Sequence, residues 1–381
     1  MSDVTIHART RPPRRGALVV AAALLLGACA GQPEGPTGDP LVAPEDAVTP
    51  AGDDVAAPDP EDDDPQADPE EAEAGVGDEG EPLPDPAEVG ANELGQIPIL
   101  MYHRLLPDGG GEYDLTADEF RGELQWLYDH GYRPVRMADV AAGRIDLPAG
   151  TSPVVLTFDD STREQFALDA DGAVAPDTKV GILEEFGERH EDWDATAASF
   201  YVITSSLFGG GDRGEGLLTA LAERGYEIGN HTHTHRNLGQ ADGAEVQQEL
   251  TQNSAMVEEL TGAPTATLSL PFGVRPQDHA LSLAGEADGI GYEHQAALLV
   301  GSGPAPSPFH REWDPVGVPR IRSSPSWDGG DPDWGSAFWL QVLEDHPERR
   351  YVSDGDPDTI AFPADLQDGL SPEYADRALA Y

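Results

Sequence analysis

Val154-Val155-Leu156-Thr157-Phe158 runs without a break into Asp159-Asp160. Such an apolar, β-branched run reads as a buried strand, and at the C-terminal end of a parallel strand the groups that bind and react collect. Two carboxylates at that position cannot both ionise cheaply; a cation on one would divide them into a ligand and a base. A second reading stays open here, in which Asp-Asp-Ser-Thr caps the next helix.

Strand-length apolar runs recur on both sides of this one, at Ile97 to Tyr102, Ser199 to Ile203, Tyr226 to Ile228 and Thr265 to Leu270. Helical patterns alternate with them. Thr116-x-x-Glu119 has the form of a capping box, followed by Phe120, Leu124, Leu127 and Tyr128 on one face and Gly131 as a stop. Val246, Leu250, Val257 and Leu260 make a similar face that ends at Gly262. Strand and helix alternating through residues 97 to 381 predict a single parallel α/β domain, either a barrel or a doubly wound sheet.

Tyr226-Glu227-Ile228-Gly229-Asn230 leads into His231-Thr232-His233-Thr234-His235, three of the chain's 11 histidines within five residues. Spacing of i, i+4 can aim His231 and His235 at one metal ion, while His233 points elsewhere. One carboxylate and two imidazoles give three protein ligands and leave positions for water and substrate. A solvated polar loop is the alternative.

Thr157-Phe158-Asp159-Asp160 together with His231-Thr232-x-x-His235, in that order, resembles the polysaccharide deacetylases of carbohydrate esterase family 4. The resemblance implies a distorted (β/α) barrel of fewer than eight repeats, with Asp159 as catalytic base and a divalent metal, usually zinc, on Asp160, His231 and His235. It covers roughly residues 97 to 275 and weakens after that. The family's third motif places an arginine shortly before Pro-Phe-Gly or Pro-Tyr-Gly, whereas Leu268-Ser269-Leu270-Pro271-Phe272-Gly273 has none. Pro271, Phe272 and Gly273 remain candidates for contact with substrate. Arg320 or Arg322, in Val318-Pro319-Arg320-Ile321-Arg322, can supply the guanidinium from elsewhere; a structural surface arginine is the alternative for each.

The family's late motif with a catalytic histidine is also missing, because His279, His294, His310 and His346 lack its context. Pro98-Ile99-Leu100-Met101-Tyr102-His103 resembles that motif displaced to the amino-terminal side, as in the circularly permuted deacetylases of poly-N-acetylglucosamine exopolysaccharides. The resemblance then makes His103 the catalytic acid; a histidine capping a strand at the core edge is the other reading. Tyr351 to Asp356, and Trp334 with Trp339, are candidates for a sugar groove, with a turn and a core helix as the alternatives.

Composition narrows the partners. The 381 residues hold 71 Asp and Glu against 22 Lys and Arg, a net charge of -49, and Lys179 is the only lysine. A polyanion of this size repels phosphate backbones and anionic headgroups, which argues against nucleic acid and a polybasic membrane patch. The single cysteine, Cys29, excludes an intramolecular disulfide and a cysteine-rich zinc site.

Residues 1 to 28 read as an export signal, with Arg9, Arg11, Arg14 and Arg15 before the apolar run Ala17 to Leu26. Leu26-Gly27-Ala28-Cys29 resembles the bacterial lipobox, which implies lipid attachment at Cys29 and anchoring on the outer side of the cell membrane. Residues 29 to 96 carry no Lys or Arg, 21 acidic residues from Gly31 onward, and few large apolar side chains, so they are expected to be a disordered acidic tether.

Taken together, these features lead to the expectation of a metal-dependent enzyme that removes N-acetyl groups from an amino-sugar polymer at the cell envelope. An esterase that removes O-acetyl groups is one alternative. A non-catalytic carbohydrate-binding lipoprotein, favoured by the missing arginine, is another. Oligomeric state is not legible.

Overall fold

The computed structural model of the protein describes residues 83–326, 329–330 and 333–381, all within one compact unit, Val76–Tyr381. The expected signal peptide, Cys29 and most of the expected tether lie outside the described residues. No helix among the described residues is long and apolar enough to cross a membrane.

Seven strands make the barrel: β1 (Ile99–Tyr102), β2 (Ser152–Asp159), β3 (Ala198–Val202), β4 (Glu227–Asn230), β5 (Thr267–Ser269), β6 (Ala296–Ser302) and β7 (Val318–Arg322). They follow one another around the ring in chain order, all parallel, and the ring closes where β1 pairs with both β2 and β7. The fold is a distorted (β/α) barrel with seven strands. Its second strand is long enough to take two neighbours on one side. Tyr132–Pro134 lies against Ser152 to Val154, and β1 lies against Val155 to Phe158.

Helices α1 (Ala117–Asp129), α2 (Lys179–Arg189), α3 (Gly211–Glu223) and α4 (Gly243–Thr261) fill the first crossovers, and α5 (Ser336–Asp345) follows β7. Thr116 and Glu119 complete the capping box of α1 in both directions, and Gly262 closes α4 in a left-handed conformation. Between β5 and β6 an antiparallel hairpin, Ala284–Ala287 with Ile290–Glu293, stands where the earlier crossovers carry a helix.

Alternation along the strands separates two apolar layers. Leu156 and Phe158 of β2 join Leu100, Tyr102, Phe200 and Ile321 in the layer beneath α1, α2 and α3. Val155 joins Ile99, Tyr201, Leu298 and Val318, which fill the barrel and its floor. Thr157 and Asp159 share the inward parity of Val155, so the last inward residue of β2 is a carboxylate. Lys179 is buried in the outer layer, its Nζ 4.4 Å from the ring centroid of Phe120, 4.6 Å from Tyr102 and 5.6 Å from Phe158.

Residues 83 to 96, which composition assigned to the tether, are folded onto the barrel. Pro86–Val89 forms a helical turn capped by Asp85, and Ala91 to Gly95 are buried. What fixes this segment is hydrogen bonding more than apolar area. Asn92 bridges to Val352, while Glu93 accepts from the Tyr351 hydroxyl and the Ala361 N–H, both at 2.9 Å. Burial, reinforced by Asp354, pushes the Glu93 carboxyl up to about 8.

Candidate active site

Asp159 ends β2 with its side chain buried, and all five N–H donors of Arg320 on β7 are engaged around it. Nη1 donates to Asp159 Oδ1 at 2.9 Å and Nη2 to Oδ2 at 2.7 Å. Nη1 also reaches Thr157 Oγ1 at 3.1 Å, Nη2 reaches Ser269 Oγ at 2.9 Å, and Nε donates to the Leu299 carbonyl at 2.7 Å. Ser269 at the end of β5 donates its hydroxyl to Asp159 Oδ2 at 2.9 Å. Burial alone would raise the Asp159 carboxyl, but Arg320, then His231, outweigh it and hold the group below the usual carboxylate range.

Arg320 reaches this position through a backbone irregularity. The register of β6 on β7 passes from Leu298 opposite Val318 to Ser302 opposite Arg320, so β6 bulges across from Pro319. A proline can sit there because no ladder bond is asked of its nitrogen. The bulge frees the Leu299 carbonyl to accept from the guanidinium.

Beside Asp159, the donor atoms of Asp160, His231 and His235 lie within 4.8 Å of one another. Asp160 Oδ1 is 3.4 Å from His231 Nε2 and 3.5 Å from His235 Nε2. Tetrahedral coordination with bonds of about 2.0–2.1 Å requires ligand-to-ligand separations of about 3.3–3.4 Å, so these two edges fit a zinc-sized ion. His231 Nδ1 bonds to the Ser269 carbonyl at 2.8 Å, which fixes the tautomer with the Nε2 lone pair facing Asp160. Burial pushes the His231 imidazole down, yet Asp159 and Asp160 together push it further up. A field that draws a proton onto a buried imidazole also draws a metal cation. The residues present therefore fit a divalent metal.

Backbone strain is concentrated here. Asp160, Ser161, Thr232, His235 and Phe272 all have positive φ, from 46° to 81°. Each turn is held from outside. Ser161 Oγ accepts from Ile203 N at 3.2 Å, Asn230 Oδ1 accepts from Thr232 N at 2.8 Å, and Asn253 Nδ2 donates to the Thr232 carbonyl at 2.8 Å. Asp159-Asp160 does not cap a helix: α2 begins at Lys179 and is capped by Thr178.

His103 follows β1 directly, and its carbonyl and that of Asp159 are joined by the Gln165 amide. Its ring packs against Tyr113, centroids 4.8 Å apart, and burial lowers its pKa despite the opposing charges of Asp159 and Asp160. His233 is not part of the triad; its Nδ1 bonds to Thr204 Oγ1 at 2.9 Å, and it lines a separate cavity between α3 and α4. Pro271–Gly273 forms a short turn beside the triad, and the exposed Phe272 ring lies 4.8 Å from His235.

Of the two candidate arginines, Arg320 is fully buried on Asp159, so it is not a surface arginine, and Arg322 reaches backbone carbonyls at the rim. Tyr351 to Asp354 are buried in the floor and line no groove at the mouth. His310 also lies on that floor, paired with Leu370. Ser269 and Gln165 were not found from the sequence. Ser269 stood inside the third-motif stretch, three residues before Phe272, and that position was its only signal.

Residues 147–288 match the sequence model of the family described as polysaccharide deacetylase. A gellan lyase from a Bacillus species is 30% identical over 157 residues, 35% of this chain, and the chain covers 6% of that protein's length. Among solved structures, a Streptococcus pyogenes deacetylase determined with acetate is 20% identical, with a TM-score of 0.48 over 65% of this chain and 98% of that one. The structure of IcaB from Ammonifex degensii is 18% identical, with a TM-score of 0.43 over 66% of this chain and 96% of that one. The stretch from 147 to 288, which contains Asp159, Asp160, Ser269 and the two converging histidines, is similar in sequence to the polysaccharide deacetylase family.

Proposed function

We propose that the protein is a metal-dependent deacetylase that hydrolyses N-acetyl groups of an N-acetylglucosamine-containing polysaccharide at the cell envelope. The carrying observation is the buried, doubly bonded Asp159–Arg320 pair next to the convergent Asp160, His231 and His235. The missing arginine favoured a non-catalytic reading, and Arg320 removes that reason.

Asp160, His231 and His235 would hold the divalent cation, which when bound supplies Lewis acidity toward water and the acetyl carbonyl. Asp159 would take the proton of the attacking water. Its Oδ2 already accepts from Arg320 and Ser269, while Oδ1 accepts from Arg320 alone and keeps a lone pair. Arg320 keeps that carboxylate ionised and oriented. His103 protonates the departing amine, too basic a group to leave otherwise, as the C–N bond breaks and acetate forms.

Attachment through a lipidated Cys29 would hold the enzyme at the outer side of the membrane; Cys29→Ser should release it or leave the signal uncleaved. The function is tested by acetate release from a panel of N- and O-acetylated glycans, with and without chelator. Chelator-sensitive release from N-acetylglucosamine polymers is expected. Release confined to O-acetyl esters, or none from any glycan, overturns the proposal.

A further inference from the structure

Three of the four exposed aromatic side chains among the described residues stand at the mouth of the barrel: Tyr113, Phe272 and Trp334. Phe272 belongs to the deacetylase motif, whereas Tyr113 and Trp334 lie in loops after β1 and β7 that no recognised motif covers. Resting on the function proposed above, we infer that Tyr113 and Trp334 form a stacking platform for pyranose rings next to the sugar being deacetylated, so that the substrate is an oligomer or polymer.

Both aromatics are held in place by one guanidinium. Arg322 Nη1 donates to the Glu112 carbonyl at 3.0 Å and Nη2 to the Asp333 carbonyl at 3.3 Å, so the residues immediately before Tyr113 and Trp334 share an anchor. On the far side of Tyr113, Asp114 is gripped in two places by Arg104, at 2.8 and 2.9 Å. Around Trp334, Asp333 accepts from Ser324 Oγ at 2.9 Å and from Gly335 N at 3.0 Å. The loops are fastened while their rings stay open to solvent, at 38% exposure for Tyr113 and 56% for Trp334.

Trp334 carries two costs at once, an exposed indole and a left-handed backbone with φ of 59°. Phe338 and Trp339, with ring centroids at 5.3 and 5.7 Å, support it from behind. Backbone strain of this kind collects at active sites and ligand clamps, where the surrounding contacts hold it in place. The apolar face of a pyranose matches a flat ring, and the platform is continuous with the site, because Tyr113 packs against His103, the group placed to protonate the departing amine.

The test uses N-acetylglucosamine oligomers from one to six residues. In Tyr113→Ala and Trp334→Ala, kcat/KM for the hexamer should fall about three- to tenfold more than for the monomer, and that extra loss should be carried by KM. Tyr113→Phe and Trp334→Phe, which keep a ring, should recover most of the loss. Calorimetric titration with the hexamer should show the same weakening in binding. Active variants with wild-type length dependence and wild-type hexamer affinity would overturn the platform and leave the proposed function standing. A wild type that binds the hexamer through Trp334 yet releases no acetate would support the platform and overturn the function. Hexamer affinity unaffected by any of these substitutions in a folded protein overturns the platform.

Discussion

Arg320 and Asp159 stand 161 residues apart in the chain and meet as a bidentate pair, with both partners removed from solvent. A buried pair of this kind stabilises little by itself, but losing one partner strands a charge, which typically costs about 3–5 kcal/mol. Arg320→Met should therefore destabilise the fold by that order in urea melts and lower kcat by about 10²–10⁴. Arg320→Lys supplies charge without the planar fork and should fall between. Adding Asp159→Asn to Arg320→Met should recover stability but not activity. Equal destabilisation in the double variant would show that the stranded charge is not the cause.

Metal content should follow the triad. Asp160→Asn, His231→Ala and His235→Ala should each lose bound metal and activity together by elemental analysis, because each removes one of three converging donors. His233→Ala should keep the metal, since that ring is tied to Thr204. Full occupancy in a His231→Ala, His235→Ala double variant would refute the ligand set.

His103→Ala should lose about 10²–10⁴ in rate while retaining metal, the usual range for a missing general acid. Because burial lowers the pKa of His103, the alkaline limb of kcat/KM in the wild type should lie below the ordinary imidazole value of about 6.5. The variant should lack that limb. Near wild-type activity in His103→Ala would remove its role.

Lys179→Met should stabilise the protein in a pH-dependent way. Burial lowers the lysine to about 7, with Glu123 offsetting only part. Between that value and the unfolded one of about 10.5, the unfolded chain holds a proton that the native state has released, so stability rises with pH across this window. Below pH 7 the cost is complete, on the order of a few kcal/mol. The gain from Lys179→Met should be largest near pH 6 and smaller near pH 9.5 in urea titrations. A gain independent of pH would mean that packing, not charge, is responsible.

The first five barrel strands and the ends of α1 and α4 were legible because apolar runs, a capping box and a closing glycine are local signals. Strands β6 and β7 were not. Pro319 speaks against a strand until the bulge opposite it is known, and Gly301 and Gly303 break up the end of β6. Asp159, Asp160, His231 and His235 could be found because they are adjacent or closely spaced. Arg320 could be named only as one of two candidates, since its pairing depends on the ring closing between β7 and β1. The packing of residues 83 to 96 escaped composition because Asn92 and Glu93 anchor that segment through hydrogen bonds.

Those same contacts determine where mechanical load enters the molecule. Asn92 and Glu93 grip Val352, Tyr351 and Ala361 before the chain turns into β1, at the end of the barrel opposite Asp159 and the histidines. Force applied through residues 83 to 91 would meet this clamp before it reached β1 and the reacting groups beyond it. The mouth, at the other end of the barrel, would keep its geometry while that clamp carries the load.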